Sequence, residues 1–142
     1  MIHRALVFGG LAALATFLWT LGEYALGLHG RYAEVGRWSG FLAILFPILA
    51  IAAALRGLRA ERGGLRFADG VKQGMAVSLV TAVGGALGTL AYFVAINPGF
   101  RDGGRPVDPG AQAMLVLASG LVLGLLISLV ATAILRSKGR TA

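Results

Sequence analysis

Residues 111–135 read AQAMLVLASGLVLGLLISLVATAIL, a stretch of apolar and small side chains that contains no charged residue. At about 1.5 Å of rise per residue, a helix of this length exceeds the roughly 30 Å of a bilayer's hydrocarbon core. Lipid offers no hydrogen-bond partner to an open backbone, so a segment of this kind crosses a membrane as a helix. The stretch therefore predicts a transmembrane helix.

Three further apolar runs precede this one. The predicted spans are residues 5–28, 38–57, 71–96 and 111–135. Among the 142 residues, 57% are hydrophobic and 13% are charged, which is far from the composition of a soluble domain. A soluble domain with buried helices is the alternative, and the continuity of the runs argues against it. We therefore predict an all-α fold, with one integral membrane domain over residues 1–142 built as a bundle of four transmembrane helices.

The basic residues collect at the ends of the predicted spans. Nine flank the spans on one side: Arg4, Arg56, Arg59, Arg62, Arg66, Lys72, Arg136, Lys138 and Arg140. Four lie on the other side: Arg31, Arg37, Arg101 and Arg105. Since cytoplasmic loops carry the excess of positive charge, this bias places both termini in the cytoplasm. The net charge of +7 then indicates contact with anionic lipid headgroups of the bilayer, and no nucleic acid partner is expected.

Glu23 is the only acidic residue inside a predicted span. A carboxylate at membrane depth is costly unless it is paired, protonated or hydrated. Thr16 and Thr20 lie on the same face of the predicted helix. Two hypotheses stay open, a structural carboxylate paired with an external arginine such as Arg101 and a proton or cation site. His29 falls on a different helical face, so a pair between His29 and Glu23 within this helix is not expected.

Other residues predict local features of the spans. Pro47 lies near the middle of the second span and predicts a kink there. Asp69 is the predicted N-cap of the third span. Asn97 and Pro98 follow the third span and predict its end.

Small residues recur along the third and fourth spans. The ridge of the third span consists of Gly70, Gly74, Ser78, Thr81, Gly85 and Gly88, and that of the fourth consists of Gly120, Gly124, Ser128 and Thr132. Helices in lipid associate through close packing and interhelical hydrogen bonds, which small and hydroxylated side chains favour. The ridges therefore predict helix packing, and they leave open whether it builds the monomer, a homodimer or both.

Three motifs together resemble a known family. They are LGEYALGLH (21–29), LRFADGVKQG (65–74) and INPGF (96–100). In order and spacing they are similar to the bacterial four-helix membrane family catalogued as domain of unknown function 4199 (DUF4199). The resemblance covers nearly the whole chain and implies a multi-pass protein of the bacterial inner membrane. It makes Glu23, Asn97 and Pro98 family-like positions, and it implies no activity.

The sequence contains no motif of an enzyme. It has no G-x-S-x-G elbow, H-E-x-x-H motif or Walker loop, and it has no cysteine. His3 and His29 fall near opposite membrane faces, so no metal site and no cofactor are expected. The leading hypothesis is a non-enzymatic structural or assembly protein with an unknown partner. The alternative is a small transporter or channel that uses Glu23; small multidrug-resistance transporters also have four spans and a glutamate in the first, but there it lies deeper in the membrane.

Overall fold

The computed structural model describes residues 1–136, so Lys138 and Arg140 of the predicted basic cluster lie outside the described residues. The helices are α1 (Ile2–Ala25), α2 (Ala33–Leu42), α3 (Leu45–Arg62), α4 (Phe67–Ala91) and α5 (Pro109–Leu135). A π-helical turn (Tyr92–Ile96) continues α4. Between this turn and α5, strand β1 (Arg101–Asp102) pairs antiparallel with strand β2 (Arg105–Pro106).

Four helical segments are long and apolar enough to cross a membrane. They are Ile2–Ala25, Ala33–Arg62, Phe67–Ile96 and Pro109–Leu135. The predicted all-α bundle of four such helices is confirmed, and the direction of its termini stays a prediction. We call the end with the start of α1 and the ends of α3 and α5 the basic end. The opposite end, with the α1–α2 turn and the two strands, is the hairpin end.

The second span is interrupted between α2 and α3. Pro47 has no N–H, so it cannot donate to the carbonyl of Ala43 as a helix requires. The Ala43 carbonyl instead accepts from the N–H of Phe46 at 3.2 Å. The interruption therefore lies at Ala43 and Ile44, one turn before the proline at which the sequence predicted a kink.

Two boundaries at the basic end differ from the prediction. Helix α3 continues to Arg62 and stops at Gly63, whose φ of 66° reverses the chain. Helix α4 begins at Phe67, so the prediction of Asp69 as its N-cap is wrong. Asp69 lies in the first turn and accepts from Arg62 Nη1 at 2.9 Å, because a carboxylate is stabilised near a helix N-terminus and beside a cation.

The two ridges of small residues face each other between α4 and α5. A Cβ atom added at Gly74 would overlap the side chain of Ser128, and one at Gly124 would overlap that of Ser78. Both serines donate to carbonyls of their own helices, Ser78 to Gly74 at 2.8 Å and Ser128 to Gly124 at 2.5 Å. Close fit between backbones, rather than hydrogen bonding by these serines, therefore joins the ridges within one monomer.

The third span also packs on α1. Thr81 donates to its own helix at Val77 and lies 3.3 Å from the Gly9 carbonyl of α1. Other small residues receive larger neighbours: a Cβ at Gly85 would lie 3.3 Å from Val116, at Gly88 3.1 Å from Phe17, and at Gly120 3.0 Å from Ala82. Helix α4 is thus the centre of the bundle.

Packing is uneven along the bundle axis. The largest buried aliphatic side chains lie toward the basic end: Ile51, Leu55, Leu58, Leu65 and Val77. Toward the hairpin end, the buried side chains are mostly small or polar, and cavities lie between the helices. The large aliphatic core therefore lies toward the basic end, where α3 and α5 also leave an apolar groove of about 440 Å³ beside Arg56 and Leu135.

Candidate functional site

The end of α1 decides where the polar side chains meet. The helix stops at Ala25, and the chain reverses at Gly27, whose φ is 75°. The Leu28 N–H donates to the Glu23 carbonyl at 2.9 Å and the Gly27 N–H to the Tyr24 carbonyl at 3.0 Å, which is the Schellman arrangement. This reversal returns His29 to the side of α1 that carries Glu23.

The Glu23 side chain is enclosed by partners from two segments. The residue is 7% exposed. Its Oε2 lies 3.4 Å from Nε2 of His29, and its Oε1 accepts from the hydroxyl of Ser39 on α2. Trp19, one turn before Glu23, donates to the Ser39 carbonyl at 3.2 Å. Two side chains of α1, Trp19 and Glu23, therefore hydrogen-bond to Ser39 of α2.

His29 extends the polar contacts toward α4. Its Nδ1 lies 2.5 Å from the hydroxyl of Tyr92, and Asn97 Nδ2 donates to the same hydroxyl at 2.9 Å. These partners favour the tautomer with the proton on Nε2, in which Nδ1 accepts from Tyr92 and Nε2–H faces Glu23. The five residues Ser39, Glu23, His29, Tyr92 and Asn97 form one polar group, joined by hydrogen bonds and by the contact between Glu23 and His29, and we call it the hairpin-end cluster.

The π-helical turn brings two members of this cluster together. The Asn97 N–H donates to the Tyr92 carbonyl at 2.8 Å, the spacing of five residues that defines a π turn. In an α-helix, residues five apart point in different directions. The wider turn places them on one side, so that the Asn97 amide reaches the Tyr92 hydroxyl.

The geometry around Ser39 fits both protonation states of Glu23. The Ser39 hydroxyl has one proton and two acceptors in reach, Glu23 Oε1 and the Gly36 carbonyl at 3.1 Å. It donates to Glu23 when the carboxylate is ionised. When Glu23 carries a proton, the carboxyl can donate to the Ser39 oxygen while Ser39 donates to Gly36. Either arrangement leaves the Ser39 hydroxyl and Glu23 Oε1 hydrogen-bonded.

A cavity of about 290 Å³ adjoins the cluster. Its polar wall includes Thr16, Thr20, Glu23 and His29, and its aromatic wall includes Phe17, Tyr92, Phe93 and Phe100. The hydroxyls of Thr16 and Thr20 donate to carbonyls of α1, at 2.9 and 3.1 Å. Their lone pairs remain as acceptors in the lining. A lining that combines acceptors, a carboxylate and aromatic rings makes this cavity suited to a cation.

A second cavity of about 200 Å³ lies deeper in the bundle. The two cavities share Thr16, Gly85 and Val116 in their linings, so they adjoin. The second reaches the interruption between α2 and α3, with Ile44 and Pro47 in its wall. The interruption between α2 and α3 therefore borders this second cavity.

All of the predicted polar site residues except Arg101 lie close together at the hairpin end. Thr16, Thr20 and Glu23 line one cavity, and Asn97 joins the cluster through Tyr92. The prediction of an arginine partner is wrong: Arg101 donates to Gly104 at 3.2 Å, and over residues 1–136 the basic side chain beside Glu23 is the imidazole of His29.

The expectation that a histidine and Glu23 would not pair is also wrong. It assumed a helix through Leu28, whereas α1 ends at Ala25 and the turn brings His29 back. Sequence reasoning likewise missed Ser39 and Tyr92. The one signal available was Gly27, because a glycine is typical of the position just after a helix C-terminus.

Over residues 1–136, no three His, Cys, Asp or Glu side chains come together as metal ligands would. Four apolar helices with a buried polar cluster at one end define a multi-pass membrane bundle. The family profile described as "Protein of unknown function (DUF4199)" matches residues 7–103. The match spans more than half of the chain, and the chain belongs to this family, as the sequence motifs indicated. No curated protein and no solved structure matches the chain. The hairpin-end cluster lies wholly inside the matched residues, and α5 lies beyond them.

Proposed function

We propose that this protein is a small, non-enzymatic transporter or channel in which Glu23 is the proton- or cation-binding site. The observation that carries the proposal is a 7% exposed carboxylate that lines a cavity between apolar helices. An ionisable group at membrane depth is costly, and such groups commonly mark ion pathways. We place the protein in a bacterial inner membrane, with both termini in the cytoplasm and the basic end against anionic headgroups.

The contacts of Glu23 favour exchange over a fixed ion pair. A permanent cation such as an arginine would favour the ionised carboxylate over a wide pH range. Its partners here are the Ser39 hydroxyl and the His29 imidazole, which can each act as donor or acceptor. The site therefore has the hydrogen-bond chemistry that a proton carrier needs.

A structural role is the second candidate, and one observation favours it. The hairpin-end cluster links α1, the α1–α2 turn, α2 and the end of the third span. Breaking such a network costs stability, since each orphaned buried partner loses its compensation. In this role the protein would be an assembly component, and Glu23 would only hold the hairpin end together.

Proton flux into liposomes separates the two candidates. The purified protein is reconstituted with a pH-sensitive dye inside, and a potassium diffusion potential drives protons inward. We expect flux above that of empty liposomes, and we expect Glu23→Gln to abolish it because a neutral amide cannot carry the proton. The matched control is Glu34→Gln, since Glu34 is exposed on α2 and outside the cluster.

Thermal unfolding of the same proteins completes the test. Normal folding with lost flux in Glu23→Gln supports the transport role. No flux in the native protein, together with a lowered unfolding temperature in Glu23→Gln alone, overturns it and supports the structural role.

A further inference from the structure

We infer that the two adjoining cavities bind an amphiphilic organic monocation, with its ammonium group at Glu23 and its apolar tail in the deeper cavity. The inference rests on the proposed function, because it assigns the substrate class of the same carboxylate. It adds the deeper cavity, which plays no part in proton exchange.

The head of such a ligand matches the first cavity. The lining offers a carboxylate and the lone pairs of two threonine hydroxyls, together with the rings of Phe17, Phe93 and Phe100. An ammonium ion with apolar substituents is attracted both by a carboxylate and by aromatic faces, and it sheds its hydration shell more readily than a small metal ion. The walls therefore select a soft organic cation.

The tail of the ligand matches the second cavity. Beyond the shared residues Thr16, Gly85 and Val116, its lining includes Ile44, Leu123 and Ile127. The hydroxyl proton of Ser119 is donated within α5, to Leu115 at 2.7 Å. An alkyl chain that left water for this space would gain free energy without displacing a hydrogen-bonded partner. The shared lining residues place this apolar space next to the polar head site.

Calorimetric titration of the full chain in nanodiscs tests the inference with three probes. Hexyltrimethylammonium carries both head and tail, tetramethylammonium lacks the tail, and hexanol lacks the charge; empty nanodiscs correct for partition into lipid. We expect saturable binding of hexyltrimethylammonium, competed by tetramethylammonium at higher concentration. Glu23→Gln should weaken it about tenfold or more, as expected for the loss of a desolvated charge partner, and Glu34→Gln should not.

A second pair of variants tests the deeper cavity without touching the carboxylate. Ser119→Phe should fill that cavity and remove the advantage of hexyltrimethylammonium over tetramethylammonium, whereas Ser119→Ala should leave it. This pair carries the test if Glu23→Gln does not fold.

Three outcomes overturn the inference. They are equal binding of hexyltrimethylammonium by the native protein and Glu23→Gln, equal binding of hexanol, and no effect of Ser119→Phe. Glu23-dependent proton flux without any binding of the organic cations would sink this inference and leave the proposed function standing. If the folded native protein shows neither proton flux nor binding of the organic cations, both this inference and the proposed function are overturned.

Discussion

The Glu23 side chain has two different partners. Its carboxylate has a hydroxyl on one oxygen and an imidazole near the other, and the second partner is itself held by Tyr92. Each contact depends on the next, so the cluster behaves as one network and not as separate pairs. The Tyr92 hydroxyl is the joint between the histidine and the Asn97 amide.

Replacement of Tyr92 by Phe isolates that joint. The ring stacks edge-on against Phe93 and Tyr24, and those contacts survive in Tyr92→Phe. The lost hydroxyl leaves His29 Nδ1 and the Asn97 amide without their partner, so we expect a loss of about 1–3 kcal/mol in the free energy of unfolding. Tyr32→Phe is the control, because Tyr32 is half exposed to solvent or lipid. Equal unfolding free energies for the two variants in detergent would show that the joint contributes nothing.

Elements of the fold differ in how much the sequence reveals of them. The four spans follow from composition alone, because an apolar run of that length with at most one charged residue has few other stable forms. The ridges of α4 and α5 follow from the spacing of Gly74, Gly124 and their neighbours, but their facing each other within one monomer does not. Neither the early end of α1 nor the π turn follows, since each depends on the backbone at a few residues. The pair of His29 and Glu23 was missed for that reason.

The turn after α1 gives a prediction about Gly27. Its φ of 75° is unfavourable for any residue with a Cβ, so Gly27→Ala should cost about 1–2 kcal/mol. It should also move His29 away from Glu23 and reduce proton flux. Gly22→Ala is matched to it, because Gly22 is helical and open space surrounds its Cβ position. Unchanged stability and flux in Gly27→Ala would contradict the role given to this turn.

The ridges give a prediction about Gly124. A Cβ there would overlap Ser78, so Gly124→Ala should destabilise the bundle by about 1–3 kcal/mol through overpacking. Ser78→Gly in the same chain should restore part of the loss. Gly10→Ala is the control, since no atom lies within 4 Å of its Cβ position. Thermal unfolding in detergent measures all four proteins, and a neutral Gly124→Ala would mean that the ridges do not pack closely.

The large aliphatic core and the hairpin-end cluster lie at opposite ends of the bundle. The basic end holds the core, and the hairpin end holds the cluster and the cavity that Glu23 lines. A site close to one end of the bundle is suited to exchanging a ligand from that side. That arrangement has a direction only if the bundle is inserted in one orientation.

Single cysteines test the orientation, because the chain has none of its own. Ala60 is exposed at the basic end, and Gly99 lies in open space at the hairpin end. In intact cells, a membrane-impermeant maleimide should label Gly99→Cys and should label Ala60→Cys only after lysis. Labelling of Ala60→Cys in intact cells would contradict the placement of the basic end in the cytoplasm.

The proposed function requires that Glu23 gains and loses a proton while its partners stay in place. Carbon-13 NMR of labelled glutamate carboxyl groups measures this directly, since the chain has only Glu23, Glu34 and Glu61 and each signal is assigned by its Gln variant. We predict that the Glu23 signal moves between its ionised and protonated positions within the pH range in which the protein stays folded. A Glu23 signal fixed at the ionised position throughout that range would contradict the claim and leave a static ion pair with His29.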